Sequence, residues 1–126
     1  MSNSDIKYYE RSEIPIALTS DNLRYCLVEM NRFNCGFCLV ENKSNEMIGL
    51  FTDGDLRREI VNLNLNFTAL MLTSIEKLIS ENFISIAEKK HSQAKDILIE
   101  NQINELPLLD ENGCLEGMFR ILEIRK

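Results

Sequence analysis

Thr52 and Asp55 stand three residues apart, where the apolar run Met47 to Phe51 gives way to Thr52-Asp53-Gly54-Asp55 and a helical pattern from Leu56 to Val61. A strand that turns sharply into a helix presents free backbone N–H groups and the positive end of the helix dipole, which together favour an anion. The Thr52 hydroxyl can donate to a phosphate or ribose oxygen, and the Asp55 carboxylate can accept from two vicinal ribose hydroxyls. Gly54 keeps the approach open. The same Thr-x-x-Asp spacing also describes a capping box, in which hydroxyl and carboxylate serve only the helix's own first amides. Both readings fit, and spacing by itself favours the cap.

Other reactive residues are sparse. Cys35-Gly36-Phe37-Cys38 is a single C-x-x-C. A redox pair normally opens a helix whose dipole lowers the thiol pKa, whereas this one precedes a strand, and there is no second cysteine pair to complete a zinc site. His91 is the only histidine, which excludes a His-rich metal site and points to a surface loop. No Ser/His/Asp or Cys/His arrangement stands out, so no catalytic residue and no metal ligand is expected.

The elements that must position these residues come in two similar halves. Ile14 to Leu18 is a short apolar run, and Thr19-Ser20-Asp21-Asn22 supplies capping residues for a helix carrying Leu23, Cys26, Leu27 and Met30, with Gly36 as its stop. Phe37 to Glu41 and Met47 to Phe51 read as hairpin strands. The second half runs from a strand at Phe83 to Ala87, through a helix with Ala94, Ile97 and Leu98, to strands Leu106 to Leu109 and Cys114 to Phe119 around the turn Asp110-Glu111-Asn112-Gly113. Asp110 follows Glu41 by 69 positions and Gly117 follows Gly49 by 68, the mark of an internal duplication. The expected fold is α+β: two β-α-β-β-α repeats packed about a pseudo-twofold axis, with clefts where the sheets meet. Residues 1–13 form an N-terminal arm, 14–62 the first repeat, and 63–126 a linker helix region with the second repeat. Asn62 to Ser80 carries Leu70, Met71, Leu72, Ile75, Leu78 and Ile79, so it reads as packed structure. Tyr8 and Tyr9 on the arm could dock onto the module or onto a partner.

Composition bounds the rest. A chain of 126 residues with 44% hydrophobic and 27% charged residues fits one compact domain with a single core. Fourteen Lys and Arg against 20 Asp and Glu give a net charge of -6, which disfavours nonspecific nucleic-acid binding. No apolar run reaches the ~20 residues of a membrane helix, and Met1 to Arg11 is polar, so a cytoplasmic setting with reduced thiols is expected.

Gly49-Leu50-Phe51-Thr52-Asp53-Gly54-Asp55 resembles the closing motif of a CBS domain, the small module first named from cystathionine β-synthase. Ile103-Asn104-Glu105-Leu106-Pro107-Leu108-Leu109-Asp110, followed by Gly117, is similar to the family's apolar strand ending in Pro, two apolar residues and Asp. The resemblance spans Ile14 to Lys126 and implies a Bateman module, a tandem pair binding an adenine nucleotide such as AMP, ADP or ATP between its repeats. It further implies that Thr52 and Asp55 hold ribose and phosphate beside Gly54, that Arg57 or Arg58 neutralises phosphate, and that Ile103, Asn104, Ala94 and Lys89 contact the base. In the second repeat Arg120 stands where Thr or Ser is expected and Glu123 where Asp is expected, ahead of a short closing helix over Ile121 to Lys126, so one good site is expected. Thr52-Asp53-Gly54-Asp55-Leu56-Arg57-Arg58 looks like modules attached to sugar-phosphate nucleotidyltransferases and arabinose 5-phosphate isomerases, although 126 residues leave no room for either catalytic domain. The expectation is a homodimeric regulatory module for a fused or associated sugar-phosphate enzyme. The competing readings are a ligand-free structural dimerisation domain and a small enzyme acting through Cys35 and Cys38.

Overall fold

The computed structural model describes residues 4–62 and 66–123. The chain divides into two compact units, Ile14–Phe83 and a second one made of Met1–Glu13 with Ile84–Lys126, each with its own core in place of the single core expected, because each sheet buries its apolar face under its own helix. No helix among the described residues is long and apolar enough to cross a membrane.

In the Ile14–Phe83 unit, β2 (Ile16–Leu18) pairs parallel with β3 (Phe37–Glu41), which pairs antiparallel with β4 (Met47–Thr52). Helix α1 (Leu23–Arg32) starts where the capping cluster predicts: Asn22 accepts a hydrogen bond from the Tyr25 amide at 2.9 Å. Its Leu23, Cys26 and Met30, one helical face, pack with Ala17, Cys38, Val40 and Phe51 of the sheet. The helix ends at Phe33, and Asn34 takes the left-handed turn at φ 52°. The expected stop at Gly36 is therefore displaced by two residues, because asparagine tolerates that conformation. Helix α2 (Asp53–Val61) follows β4 directly. Of the expected packed segment Asn62 to Ser80, residues 63–65 lie outside the described residues; in the rest, α3 (Phe67–Met71) and a 3-10 turn at Ile75–Lys77 send Leu70 and Ile75 into the same core. Ser80 then bonds Leu50 through both backbone groups at 3.1 Å. A β-carbon on Gly49 would stand 2.7 Å from the Ser80 carbonyl oxygen, so only glycine admits this approach.

The other unit repeats the plan with substitutions. Helix α4 (His91–Glu100) buries Ala94 and Leu98 against Leu106 and Leu108 of β5 (Glu105–Leu109) and Phe119 of β6 (Leu115–Glu123). The turn between these strands is held by Asp110 Oδ1, which accepts from the Asn112 and Cys114 amides, with Gly113 at φ 81°. The strand expected over Phe83 to Ala87 is reduced to one parallel bridge, Ile86 with Leu108. The third full strand comes instead from the N-terminal segment: β1 (Ser4–Glu10) pairs antiparallel with β6 from Ser4–Glu123 to Glu10–Gly117. Ile6 enters the core and Tyr8 packs against it. This corrects the expected closing helix. Ile121 to Glu123 continue β6 because β1 supplies backbone partners along that whole edge; the remainder of the expected helix, 124–126, lies outside the described residues.

Candidate functional site

Four of the expected ligand residues meet at the junction of β4 and α2. Thr52 is extended, at φ −127° and ψ 167°, and its hydroxyl accepts from the Asp55 amide at 3.3 Å. Asp55 reaches back, its Oδ2 accepting from the Thr52 amide at 2.9 Å and from the Thr52 hydroxyl at 3.1 Å. The capping box is thus complete. The other oxygen, Oδ1, accepts from the guanidinium of Arg58. Asp55 is largely shielded, with 13% of its side chain exposed, whereas Arg58 is 64% exposed. A β-carbon on Gly54 would lie 3.6 Å from the Arg58 guanidinium and the Thr52 hydroxyl and 4.0 Å from Arg57. Both arginines therefore fold back over the first turn of α2, whose free N–H groups attract negative charge. Opposite this junction, the Asp53 amide donates to the Gly36 carbonyl at 3.0 Å, fixing the helix start against the beginning of β3.

The remaining four expected residues lie in the other unit and differ in character. Ala94 is fully buried in its core and Ile103 packs at the core's margin. Asn104 is exposed immediately before β5, its backbone carbonyl accepting from the Ile121 amide. Lys89 is exposed in the loop before α4; its ammonium lies 4.0 Å from the Tyr8 ring centroid and 4.0 Å from a Glu10 carboxylate oxygen. Tyr8 meets Phe119 edge-on at 5.0 Å, and Phe119 meets His91 at 5.9 Å. The sequence alone does not decide whether Tyr8 serves the module or a partner; the alternation of buried Ile6 with exposed Asp5 and Lys7 is the strand signal that places it.

Cys38 sits in the core beside Cys26, and the hydrogen bond between their thiols together with burial pushes the Cys38 pKa far above the ordinary thiol range. Cys35 is only partly buried, its thiol turned to the Phe37 carbonyl at 3.4 Å. Such a protonated core thiol is a poor nucleophile and a poor metal ligand. Among the described residues no group of three His, Cys, Asp or Glu side chains converges.

Residues 5–62 match the family model of the CBS domain. A CBS domain pair/ACT domain protein from Thermotoga maritima shares the fold over 87% of this chain and 84% of that one, with a TM-score of 0.67 and 23% identity. This chain has the fold of a CBS domain pair. Listeria monocytogenes CbpB, solved in complex with c-di-AMP, superposes on the pair over 90% of this chain and 85% of its own with a TM-score of 0.74 and 14% identity. CBSX2, solved in complex with AMP, does so over 88% and 84% with a TM-score of 0.74 and 17% identity. In sequence, the pair is 28% identical over 109 residues to arabinose 5-phosphate isomerase GutQ of Salmonella typhi, covering 86% of this chain and 32% of that protein. The chain thus spans about a third of the length of its curated relatives.

The two repeats differ where their closing motifs should correspond. Thr52 caps a helix, but Arg120 lies within continuous β6 strand, opposite Glu105 on one side and Lys7 on the other. Its guanidinium is 5.7 Å from the Tyr9 ring centroid. Arg120, Glu105, Asn104 and Ile121 line a depression of about 250 Å³. Burial raises the Glu105 carboxyl above its ordinary range, while Arg120 pulls it the other way. With no helix start at Arg120, the second repeat has no counterpart to the Thr52–Asp55 arrangement among its described residues.

Proposed function

We propose that this chain is a CBS domain pair acting as a regulatory, non-catalytic module that binds an adenine nucleotide or a related nucleotide through Thr52, Gly54, Asp55 and Arg57, with Lys89, Ala94, Ile103 and Asn104 of the second repeat as further contacts. The observation that carries the reading is the posture of Asp55. Its Oδ2 is fixed by the amide and hydroxyl of Thr52, leaving Oδ1 directed at an exposed, exchangeable partner, beside a helix start overlaid by two guanidinium groups. A fixed carboxylate next to an anion-favouring helix start matches the diol and phosphate of a nucleotide at once. The AMP and c-di-AMP complexes of proteins sharing the fold support the ligand class.

The likeness to GutQ supports a sugar-phosphate enzyme as the regulated partner, fused or associated, whether an isomerase or a nucleotidyltransferase. Binding regulates through differential affinity for two arrangements of a cytoplasmic homodimer. The test is calorimetry with AMP, ADP and ATP against wild type and Asp55→Asn, which keeps an acceptor for the Thr52 amide but loses the charge. Micromolar binding that weakens at least tenfold in the variant is expected; equal binding, or none to wild type, refutes the reading.

The complete capping box favours one alternative, a ligand-free dimerisation domain. Thr52→Ala would then cost about 1 kcal/mol of stability and change nothing else.

A further inference from the structure

We propose that Arg58 makes this site discriminate phosphorylated nucleosides from bare ones, by occupying Asp55 when the site is empty and exchanging that carboxylate for the ligand's phosphate when it is filled. The inference rests on the nucleotide reading above and goes beyond it by assigning the discrimination to one side chain. Asp55 Oδ2 already accepts from two donors of Thr52, so an incoming sugar diol must take Oδ1, the oxygen held by Arg58. Ribose and Arg58 therefore compete for the same lone pairs.

The competition is winnable because Arg58 is 64% exposed and its pair with Asp55 spans one helical turn. Exposed pairs of this kind are worth a factor of about two to five in equilibrium terms. Once displaced, the guanidinium remains above Gly54 at the start of α2, next to Arg57. Two cations at the positive end of a helix dipole are unfavourable without an anion between them. A nucleotide supplies that anion through its phosphate; a nucleoside displaces Arg58 and offers nothing in return. The pair of carboxylate and guanidinium thus holds the empty site neutral and sets the requirement for phosphate.

The experiment compares AMP and adenosine by calorimetry on wild type, Arg58→Gln and Arg58→Lys, with thermal unfolding measured in parallel. In Arg58→Gln adenosine binding tightens by about threefold as the competitor is lost, and AMP binding weakens by about tenfold as a charge-assisted contact is lost. Arg58→Lys keeps AMP within about threefold of wild type, because the charge is retained. Equal changes for the two ligands, or no change, would overturn the role of Arg58 while leaving the nucleotide site standing. Absence of AMP binding to wild type would overturn the nucleotide reading and this one with it.

Discussion

The ammonium of Lys89 rests 4.0 Å from the centre of the Tyr8 ring, which in turn meets Phe119 edge-on. Strand β1 therefore contributes to its unit both backbone pairing and an aromatic platform for the loop ahead of α4. Tyr8→Ala removes the platform and the packing against Phe119 and is expected to cost about 2 kcal/mol in urea denaturation. Tyr8→Phe keeps both ring contacts and should stay within about 0.5 kcal/mol of wild type. Equal losses in the two variants would assign the effect to the hydroxyl instead.

Two glycines should respond in opposite ways. A β-carbon on Gly117 would run into the Tyr8 ring and stand 2.6 Å from the Tyr9 carbonyl oxygen. Gly117→Ala must push β1 away from β6 and is expected to lose more than about 2 kcal/mol. Gly54→Ala meets only ordinary contacts at 3.6 Å and gains helix propensity in α2, so stability should rise by about 0.5 kcal/mol. Nucleotide affinity should fall in the same variant, since the new methyl group narrows the approach to Asp55. Unchanged affinity would mean that no ligand passes over Gly54.

Glu105 gives a pH signature. Burial holds its carboxyl protonated to higher pH in the folded chain, so on raising the pH the unfolded chain releases this proton first and the folded state binds more protons. The contribution is fully present below the ordinary glutamate range and is lost as pH rises through the raised folded value. Glu105→Gln cannot ionise, so the variant should gain on wild type over the interval from the ordinary glutamate range, about pH 4, up through the raised folded value when both are unfolded in urea. A constant difference across that interval would show Glu105 ionising alike in both states.

The four cysteines are all free thiols of unequal access. Cys26 and Cys38 are fully buried, whereas Cys35 and Cys114 are partly exposed. Iodoacetamide at neutral pH should modify Cys35 and Cys114 in the native protein and reach Cys26 and Cys38 only at the rate of unfolding. Rapid alkylation of Cys38 in the native state would contradict its place in the core.

Where local signals and packing agree, the sequence is a sufficient guide. The Thr19–Asn22 cluster marks the start of α1, Leu23, Cys26 and Met30 mark its buried face, and the β3–β4 hairpin follows from two apolar runs around a polar turn. At Thr52 and Asp55, too, both chemical readings were legible, and the structure contains the capping geometry in full. What local pattern does not carry is the pairing of β1 with β6. Its partners lie at opposite ends of the described chain, and Ile6 and Tyr8 sit in a short segment that reads as a polar arm. The same omission turned Ile121 to Glu123 into a helix, since nothing nearby announces the strand that holds them extended. The sequence offers Arg57 or Arg58 as a phosphate-neutralising cation and does not single out the pair of Arg58 with Asp55, because an i, i+3 partner is only one of several contacts a surface arginine can make.

The edge that β1 lends to β6 also orders events during synthesis. The Ile14–Phe83 unit is a continuous stretch of chain and can fold as it leaves the ribosome, whereas the other unit must wait for its last strand to emerge while its first one stays unpaired. That waiting strand exposes Ile6 and an open row of backbone donors and acceptors. A chain stalled before Leu115 would therefore be the species most prone to pairing with a neighbour.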